Sequence, residues 1–398
     1  MATRLLFLSH SASRNGASVL LLQFLQWLRQ HTDYELDVLC IGGGPLLGEY
    51  RSVARTRLLR NPAAVLRVLP FKWARSLEAK TRNLALRFFL LGRQPDLIYA
   101  NTSAAWRQVV ALQDHAVPVL WHIHEMSYAM QVLLDDQNPA RVFGSTNRFI
   151  AVSRSVVKAL TTHCGVPLEN IDLVNGFSAS QTYGANDRLA KRSQMRAGLG
   201  WDEACFVVGA CGEMEWRKGS DLFLQMARDC IARGEFPNIR FLWVGGAANT
   251  VESLRFAHDV RALGLGDVCR HVTSTANVHD YYCAMDVFAL PSREDPYPLV
   301  VLEAGRHGLP TICFDDAGGA AEFVGCDAGV IVPYLAIRQF AEAVQDLSTA
   351  PERLAALGES AERKARLANS LERQAPKLLE CIQRCIASQS PAATGAVR

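Results

Sequence analysis

The chain has 398 residues, 49% apolar and 20% charged, with a formal net charge of +3. That length exceeds one ordinary core and predicts two domains, and the balance excludes a disordered chain. No stretch reaches the roughly 20 uncharged apolar residues of a membrane-spanning helix. Eleven cysteines without zinc-type pairing, an odd count, argue against a disulfide framework and point to a reducing cytosol.

The first ten residues are too short an apolar run for a signal peptide and read as a buried strand. In the first half the predicted strands are Leu5–Ser9, Leu36–Ile41, Leu97–Ala100, Val117–His122, Phe149–Val152 and Ile171–Val174. Asn15-Gly16-Ala17-Ser18 follows the first strand and opens an apolar helix, Val19–Leu28. Residues 51–93 hold eleven basic side chains and one acidic one, Glu78, mixed with large apolar residues such as Phe71, Trp73, Phe88 and Phe89. The rest of the chain is acidic, with 31 basic against 38 acidic residues. Two readings of 51–93 stand: an interfacial helix on an anionic membrane surface, or a helical insertion with a solvated basic face. Nucleic acid is disfavoured, since no recognition module accompanies the charge.

Residues 176–200, rich in Gly, Ser, Ala and Asn, read as a linker. Beyond it come predicted strands Phe206–Ala210, Ile239–Val244, Cys269–Thr273, Val287–Leu290, Thr311–Cys313 and Gly329–Ile331, then helices over 334–388 and a loose tail. Cys381 and Cys385 share a helix face, and their plain reading is a pair of buried thiols. Strands alternating with helices are the pattern of parallel α/β sheets, whose ligands sit at the carboxyl ends of strands.

The most informative stretch is Pro291-Ser-Arg-Glu-Asp-Pro-Tyr-Pro-Leu-Val-Val-Leu-Glu-Ala-Gly305. Its prolines make the first half a loop, and Pro298 suits a helix start. Asp295 and Glu303 then bracket a helix N-terminus, where free N–H groups and the dipole welcome an anion. Carboxylates there can accept hydrogen bonds from sugar hydroxyls, so a ligand carrying both phosphates and hydroxyls is expected. Arg217 and Lys218, beside Gly219 and just ahead of a helix over Asp221–Ala232, suit a diphosphate, although such a pair is often a solvated turn. Asp315-Asp316-Ala-Gly-Gly-Ala-Ala-Glu322 could approach a ligand through Gly318 and Gly319, or simply supply a first-turn acid.

Trp121-His122-Ile123-His124-Glu125 ends a strand with both histidines on one face. They are hydrogen-bonded strand-end residues, or His124 touches a sugar, or the pair ligates a hydrolytic metal; no second ligand cluster supports the last. The glycines of Gly42-Gly43-Gly44-Pro45 and Gly16 do not form a dinucleotide fingerprint. No P-loop, no nucleophile elbow and no Asp-x-Asp occurs. A metal-held diphosphate therefore lacks an obvious ligand pair, and the phosphate task falls to Arg217, Lys218 and helix N–H groups.

Taken together, these residues resemble the retaining, nucleotide-sugar-dependent glycosyltransferases of family 4, glycosyl transferases group 1. The match runs through the Gly16 turn, Pro95-Asp96-Leu-Ile-Tyr-Ala-Asn101, His124-Glu125, Ala151-Val-Ser153, Val174-Asn-Gly176, Arg217-Lys218-Gly219 and Val244-Gly-Gly246 to the acidic motif and Gly308-Leu-Pro310. The resemblance implies an α/β GT-B fold, two Rossmann-like domains facing across a cleft. An acceptor-binding domain would cover 1–178, with the basic insertion at about 51–93. A nucleotide-sugar-binding domain would cover 198–370, and a helix and tail 371–398.

By the same resemblance Glu303 holds the ribose, with Leu299 and Val300 beside the nucleotide sugar. Arg217 and Lys218 bind the diphosphate, His124 lies near the sugar or acceptor, and Gly16 and Ala17 form an acceptor or phosphate loop. The family usually has Glu at the position of Asp295, and Glu294 immediately precedes it, so the catalytic sugar contact is assigned to Asp295 or Glu294. The family also commonly has Arg where Glu213 stands, and Arg217 would supply that charge.

The implied activity moves a sugar from a nucleoside diphosphate to a hydroxyl acceptor with retention, without metal or other cofactor. The implied acceptor is a saccharide or lipid-linked saccharide of cell-surface polysaccharide assembly. The implied location is the cytoplasm or the cytoplasmic membrane face. The alternatives are a nucleotide-sugar epimerase or hydrolase of the same fold, and a non-catalytic sugar-binding scaffold.

Overall fold

The computed structural model describes residues 2–59, 94–112, 117–134, 137–143, 147–179, 183–234 and 238–388. It divides into two compact units, Met1–Asn175 with Leu371–Arg398, and Gly176–Ser370. Most of the basic segment, residues 60–93, lies outside the described residues, and so does the tail from 389.

In the first unit the described strands are β1 (Arg4–Ser9), β2 (Glu35–Cys40), β3 (Arg55–Leu58), β4 (Leu97–Asn101), β5 (Val119–Ile123), β6 (Arg148–Ala151) and β7 (Ile171–Leu173). They form a parallel sheet in the order β3-β2-β1-β4-β5-β6-β7. Strands β1, β4 and β5 are buried almost throughout, as expected where helices cover both faces. The chain order turns back between β1 and β4, so the carboxyl ends of these two strands mark a switch point. The helix after β1 begins at Gly16, three residues earlier than its apolar run suggested, and runs to His31. It starts there because the Asn15 side chain caps it, accepting from the Ser18 N–H at 2.9 Å.

Sequence reading did not anticipate β3. It is a four-residue edge strand with charged alternation, Arg55-Thr-Arg-Leu58, held to β2 partly by an Arg55–Asp37 ion pair of 2.6 Å. The helix Leu371–Ala387 packs on the helix Gly16–His31 and beside β4, β5 and β6, so the chain's last described element returns to the first unit. Cys381 and Cys385 on this helix are buried free thiols.

The second unit repeats the plan with β8 (Phe206–Cys211), β9 (Ile239–Val244), β10 (Cys269–Val272), β11 (Val287–Leu290), β12 (Thr311–Phe314) and β13 (Gly329–Val332). The order is β10-β9-β8-β11-β12-β13, again parallel, with the turn-back between β8 and β11. Two apolar layers line this sheet, one around Phe223, Phe241 and Trp243, the other around Leu242, Phe288 and Leu302.

The linker expectation for 176–200 is corrected. Ala185–Gly198 is a helix packed on the helix Val278–Ala284 of the same unit. Composition hid it because its anchors are charged. Arg196 has no exposed surface; it reaches Asp286 Oδ2 at 2.7 Å and the carbonyls of Ala284, Glu203 and Cys205 at 2.7–3.1 Å. Arg192 takes the other Asp286 oxygen at 2.6 Å. Removing one partner of such a set strands buried charge and carbonyls. Arg196→Leu is therefore expected to destabilise the fold by about 3 kcal/mol or more, read as a lower urea midpoint. An unchanged midpoint would contradict the anchoring role.

Candidate functional site

In the second unit the loops that leave β8, β9, β11 and β12 converge at the carboxyl edge of the sheet. After β8 the backbone turns at Gly212 (φ +149°), passes a short 3-10 turn over Trp216–Lys218, and reaches Gly219 (φ +70°). A side chain at Gly219 would strike the Pro291 carbonyl, so glycine lets the phosphate-type loop press against the loop after β11. The helix Ser220–Ala232 then starts, with Asp221 in its first turn.

The acidic loop is knitted to this turn. The backbone N–H groups of Arg293 and Glu294 donate to the Arg217 carbonyl at 2.7 and 3.3 Å. The Arg293 guanidinium grips both Asp221 oxygens at 2.8 and 2.7 Å, donates to the Trp216 carbonyl at 2.8 Å, and lies 5.1 Å from the Trp216 ring. Arg293 was not singled out from sequence; its partners are more than 70 positions away, beyond any local pattern.

Lys218 Nζ lies 2.5 Å from Asp295 Oδ2. Asp295 is 5% exposed, and Ser292 Oγ donates to the same oxygen at 3.4 Å. Its backbone is fixed too: its N–H donates to the Ala317 carbonyl at 2.8 Å, and its carbonyl accepts from the Gly319 N–H at 3.1 Å. The glycine loop after β12 thus serves to hold Asp295. Glu322 sits in the first turn of the short helix Ala320–Val324. Glu294, also buried, is adjacent; of these two carboxylates, Asp295 is the partner of Lys218. The Arg217 side chain is turned to Glu215 at 2.8 Å, while its carbonyl holds the acidic loop.

The helix Leu299–Arg306 carries Glu303. Pro298 is its N-cap residue, and Leu299 and Val300 in its first turn are half-buried against the core. Glu303 Oε2 accepts a hydrogen bond from the Tyr282 hydroxyl at 3.0 Å. Burial pushes the Glu303 carboxyl up to about 7, only partly offset by that bond. Burial likewise pushes the neighbouring Cys211 thiol up to about 12, so it is inert at neutral pH. Free helix N–H groups, one ammonium, two carboxylates on the acidic loop and a third on the helix that follows can together receive a phosphate and several hydroxyls.

The first unit has its own polar cluster at the ends of β1, β4 and β5. His122 is buried, its Nδ1 2.6 Å from the Tyr99 hydroxyl. Its ring centroid lies 4.1 Å from that of His124. His124 Nε2 lies 3.2 Å from Asn101 Oδ1, while Asn101 Nδ2 donates to the Ala17 carbonyl at 3.1 Å. Asn101 Oδ1 is therefore the acceptor, and His124 Nε2 carries the proton. Burial, with His10 nearby, lowers the His124 pKa to about 3, so the ring is neutral at pH 7.

Glu125 fixes this corner by accepting the Ser103 and His124 backbone N–H groups at 3.0 and 3.2 Å. Gly16 is exposed at the first helical position and Ala17 half-buried behind it. Among the described residues no group of three or more His, Cys, Asp and Glu could hold a metal ion.

Two family models match the chain in succession: Glycosyltransferase Family 4 over residues 14–177 and Glycosyl transferases group 1 over residues 205–350. The chain belongs to the group 1 glycosyltransferases. The chain is similar to the D-inositol 3-phosphate glycosyltransferase of Rhodococcus opacus, 30% identical over 62% of this chain and 57% of the relative. It is similar to that of Rhodococcus erythropolis at 29% identity, over 62% and 58%. The chain thus spans a little under three-fifths of the length of these curated relatives.

Among solved structures it resembles Anabaena HepE in complex with UDP and glucose. The TM-score is 0.78 at 20% identity, covering 96% of this chain and 99% of that one. Sucrose-phosphate synthase from Thermosynechococcus elongatus gives a TM-score of 0.78 at 18% identity, covering 97% and 100%. These likenesses establish the fold of the chain as GT-B, two Rossmann-like domains. Among the described residues no helix is long and apolar enough to cross a membrane.

Proposed function

We propose that this chain transfers a sugar from a nucleoside diphosphate to a hydroxyl acceptor, with retained anomeric configuration and without a divalent metal. The observation that carries the reading is the ion pair of half-buried Lys218 with buried Asp295, one helix start away from Glu303. Lys218, Arg217 and the N–H groups at the start of the helix Ser220–Ala232 meet the diphosphate. Glu303 takes the ribose hydroxyls, with Leu299 and Val300 beside the nucleotide sugar. Asp295, more than Glu294, takes a hydroxyl of the transferred sugar, because its carboxylate is already held beside the phosphate-binding cation.

In the reaction the bond from the anomeric carbon to the diphosphate oxygen breaks, and the acceptor oxygen bonds to that carbon from the same face. The acceptor proton passes to the departing phosphate. Charge grows on the leaving oxygens, and a fixed cation in a buried setting stabilises it. His124, neutral and with its Nε2 proton given to Asn101, offers Nδ1 as an acceptor for a sugar or acceptor hydroxyl rather than a charge. Gly16 and Ala17 open the helix next to it and leave room for an acceptor.

A saccharide acceptor, lipid-linked at a cytoplasmic membrane face, fits the basic and apolar composition of 51–93. Vesicle flotation tests this part: the reading expects binding that needs anionic lipid and weakens with salt, and no binding to any vesicle contradicts it.

A panel of nucleotide sugars tested by thermal shift, followed by donor turnover with and without saccharide acceptors, tests the activity. The reading expects one donor to raise Tm and be consumed in step with acceptor glycosylation, at undiminished rate in EDTA. Loss of activity in EDTA would contradict the metal-free reading. Isomerised or hydrolysed donor without acceptor, or binding without turnover, would contradict transfer.

A further inference from the structure

Tyr282 lies on the helix Val278–Ala284 with no exposed surface. Its ring is wedged between Phe288, His307 and His279, at centroid distances of 5.9, 5.3 and 6.0 Å. The phenol cannot swing away, and its hydroxyl meets Glu303 Oε2 at 3.0 Å. Burial and the nearby Cys211 and Glu303 push its pKa well above 10, so the hydroxyl always has a proton to give. A carboxylate offers about four acceptor positions. One is taken by Tyr282, and the remainder, including all of Oε1, suit two adjacent hydroxyls.

We infer that Tyr282 is a positioning residue, which locks the Glu303 carboxylate in the orientation that receives the vicinal 2′- and 3′-hydroxyls of a ribose. This rests on the nucleotide reading of the site. Its consequence is selectivity: the site distinguishes ribonucleotides from deoxyribonucleotides through a carboxylate whose rotamer is set from behind. A buried polar group built to receive a hydroxyl discriminates strongly against its absence.

The titratable groups around Glu303 do not obscure the test. Cys211 on β8 is held up to about 12, His307 down to about 4, and His279 below its usual value, all by burial. Tyr282 itself stays protonated, so Glu303 dominates titration between pH 6.5 and 8.5. Loss of the hydroxyl raises the pH at which Glu303 ionises.

The experiment is calorimetric titration of wild type and Tyr282→Phe with UDP and 2′-deoxy-UDP at pH 6.5 and 8.5, with GDP and ADP as further probes. The variant is expected to bind UDP about tenfold more weakly at pH 6.5, on the scale of one lost charge-assisted bond, and to recover part of this at pH 8.5. The penalty for removing the 2′-hydroxyl shrinks in the variant. In a Glu303→Gln background, Tyr282→Phe changes UDP affinity less than about twofold, as coupled residues require.

Equal UDP affinity in the two proteins would overturn the inference. So would a loss independent of pH and shared by both nucleotides, or an undiminished loss in the Glu303→Gln background. Wild type that binds none of UDP, GDP and ADP would remove the nucleotide reading, and this role with it.

Discussion

Lys218→Ala is expected to lower kcat/KM for sugar transfer by about a hundredfold or more, roughly 3 kcal/mol of barrier, the scale of one removed transition-state charge donor. The geometry explains why this lysine, and not Arg217, carries the larger effect. Lys218 is half-buried beside the acidic loop, its side chain 14% exposed against 34% for Arg217, so its charge is less screened, whereas Arg217 is turned to Glu215. The Arg217→Ala loss is expected to be several-fold smaller. The lysine also neutralises Asp295, which is 5% exposed, so the alanine variant should lose about 3 kcal/mol of stability as well. Adding Asp295→Asn removes the stranded charge and should restore much of that stability without restoring transfer. Steady-state kinetics and urea unfolding on the two variants separate the effects. Recovery of activity together with stability would show that the lysine only holds the fold.

The second large effect concerns Glu303. With its carboxyl held up to about 7, it is partly protonated at neutral pH in the ligand-free protein. Ribose hydroxyls donate to the ionised form, so nucleotide affinity should fall as pH drops through about 7, and binding near that pH should release protons. Glu303→Gln should weaken nucleotide binding by about tenfold or more and reduce both the pH dependence and the proton release to the share of the nucleotide's own terminal phosphate, whose second pKa is about 6. Calorimetry in buffers of different ionisation enthalpy reads all three.

Stability moves in the opposite sense. A carboxyl whose folded pKa is raised binds its proton more tightly when folded. Its contribution is fully present below its unfolded pKa and is lost as pH rises to about 7. Ligand-free wild type should therefore lose stability across that window, and Glu303→Gln should lose less. A flat affinity profile between pH 6 and 8 would contradict the assignment.

The sheet was legible because both domains are parallel and covered on both faces, which leaves short apolar runs between helices. Every predicted strand is present within a residue or two. The edge strand β3 was not legible, since its residues are charged and its pairing partner is distant. The helix Ala185–Gly198 was missed for a related reason: its anchors are Arg192 and Arg196, which count as polar in sequence and are tied to Asp286 in space, Arg196 with no exposed surface.

Of the site, the acidic motif, Lys218 and the glycine turns could be read because they are contiguous. Tyr282 and Arg293 could not, because each acts on a partner placed by the fold. Asp295 and Glu294 are adjacent in sequence, and the fold distinguishes them by setting Lys218 and Ser292 on the Asp295 carboxylate. His122 and His124 are hydrogen-bonded at a strand end, one of the readings the sequence left open, and the neutrality of His124 follows from burial, which no local pattern displays.

We propose that Lys218, Asp295 and Glu303 together form a nucleoside-diphosphate site. Titrating UDP, GDP and ADP into wild type and Lys218→Ala at pH 8 tests it most directly. The account predicts saturable binding of one nucleotide to wild type, weakened at least about tenfold in the variant as a charge-assisted phosphate contact is lost. Binding of equal strength in the two proteins, or none to wild type, would contradict it.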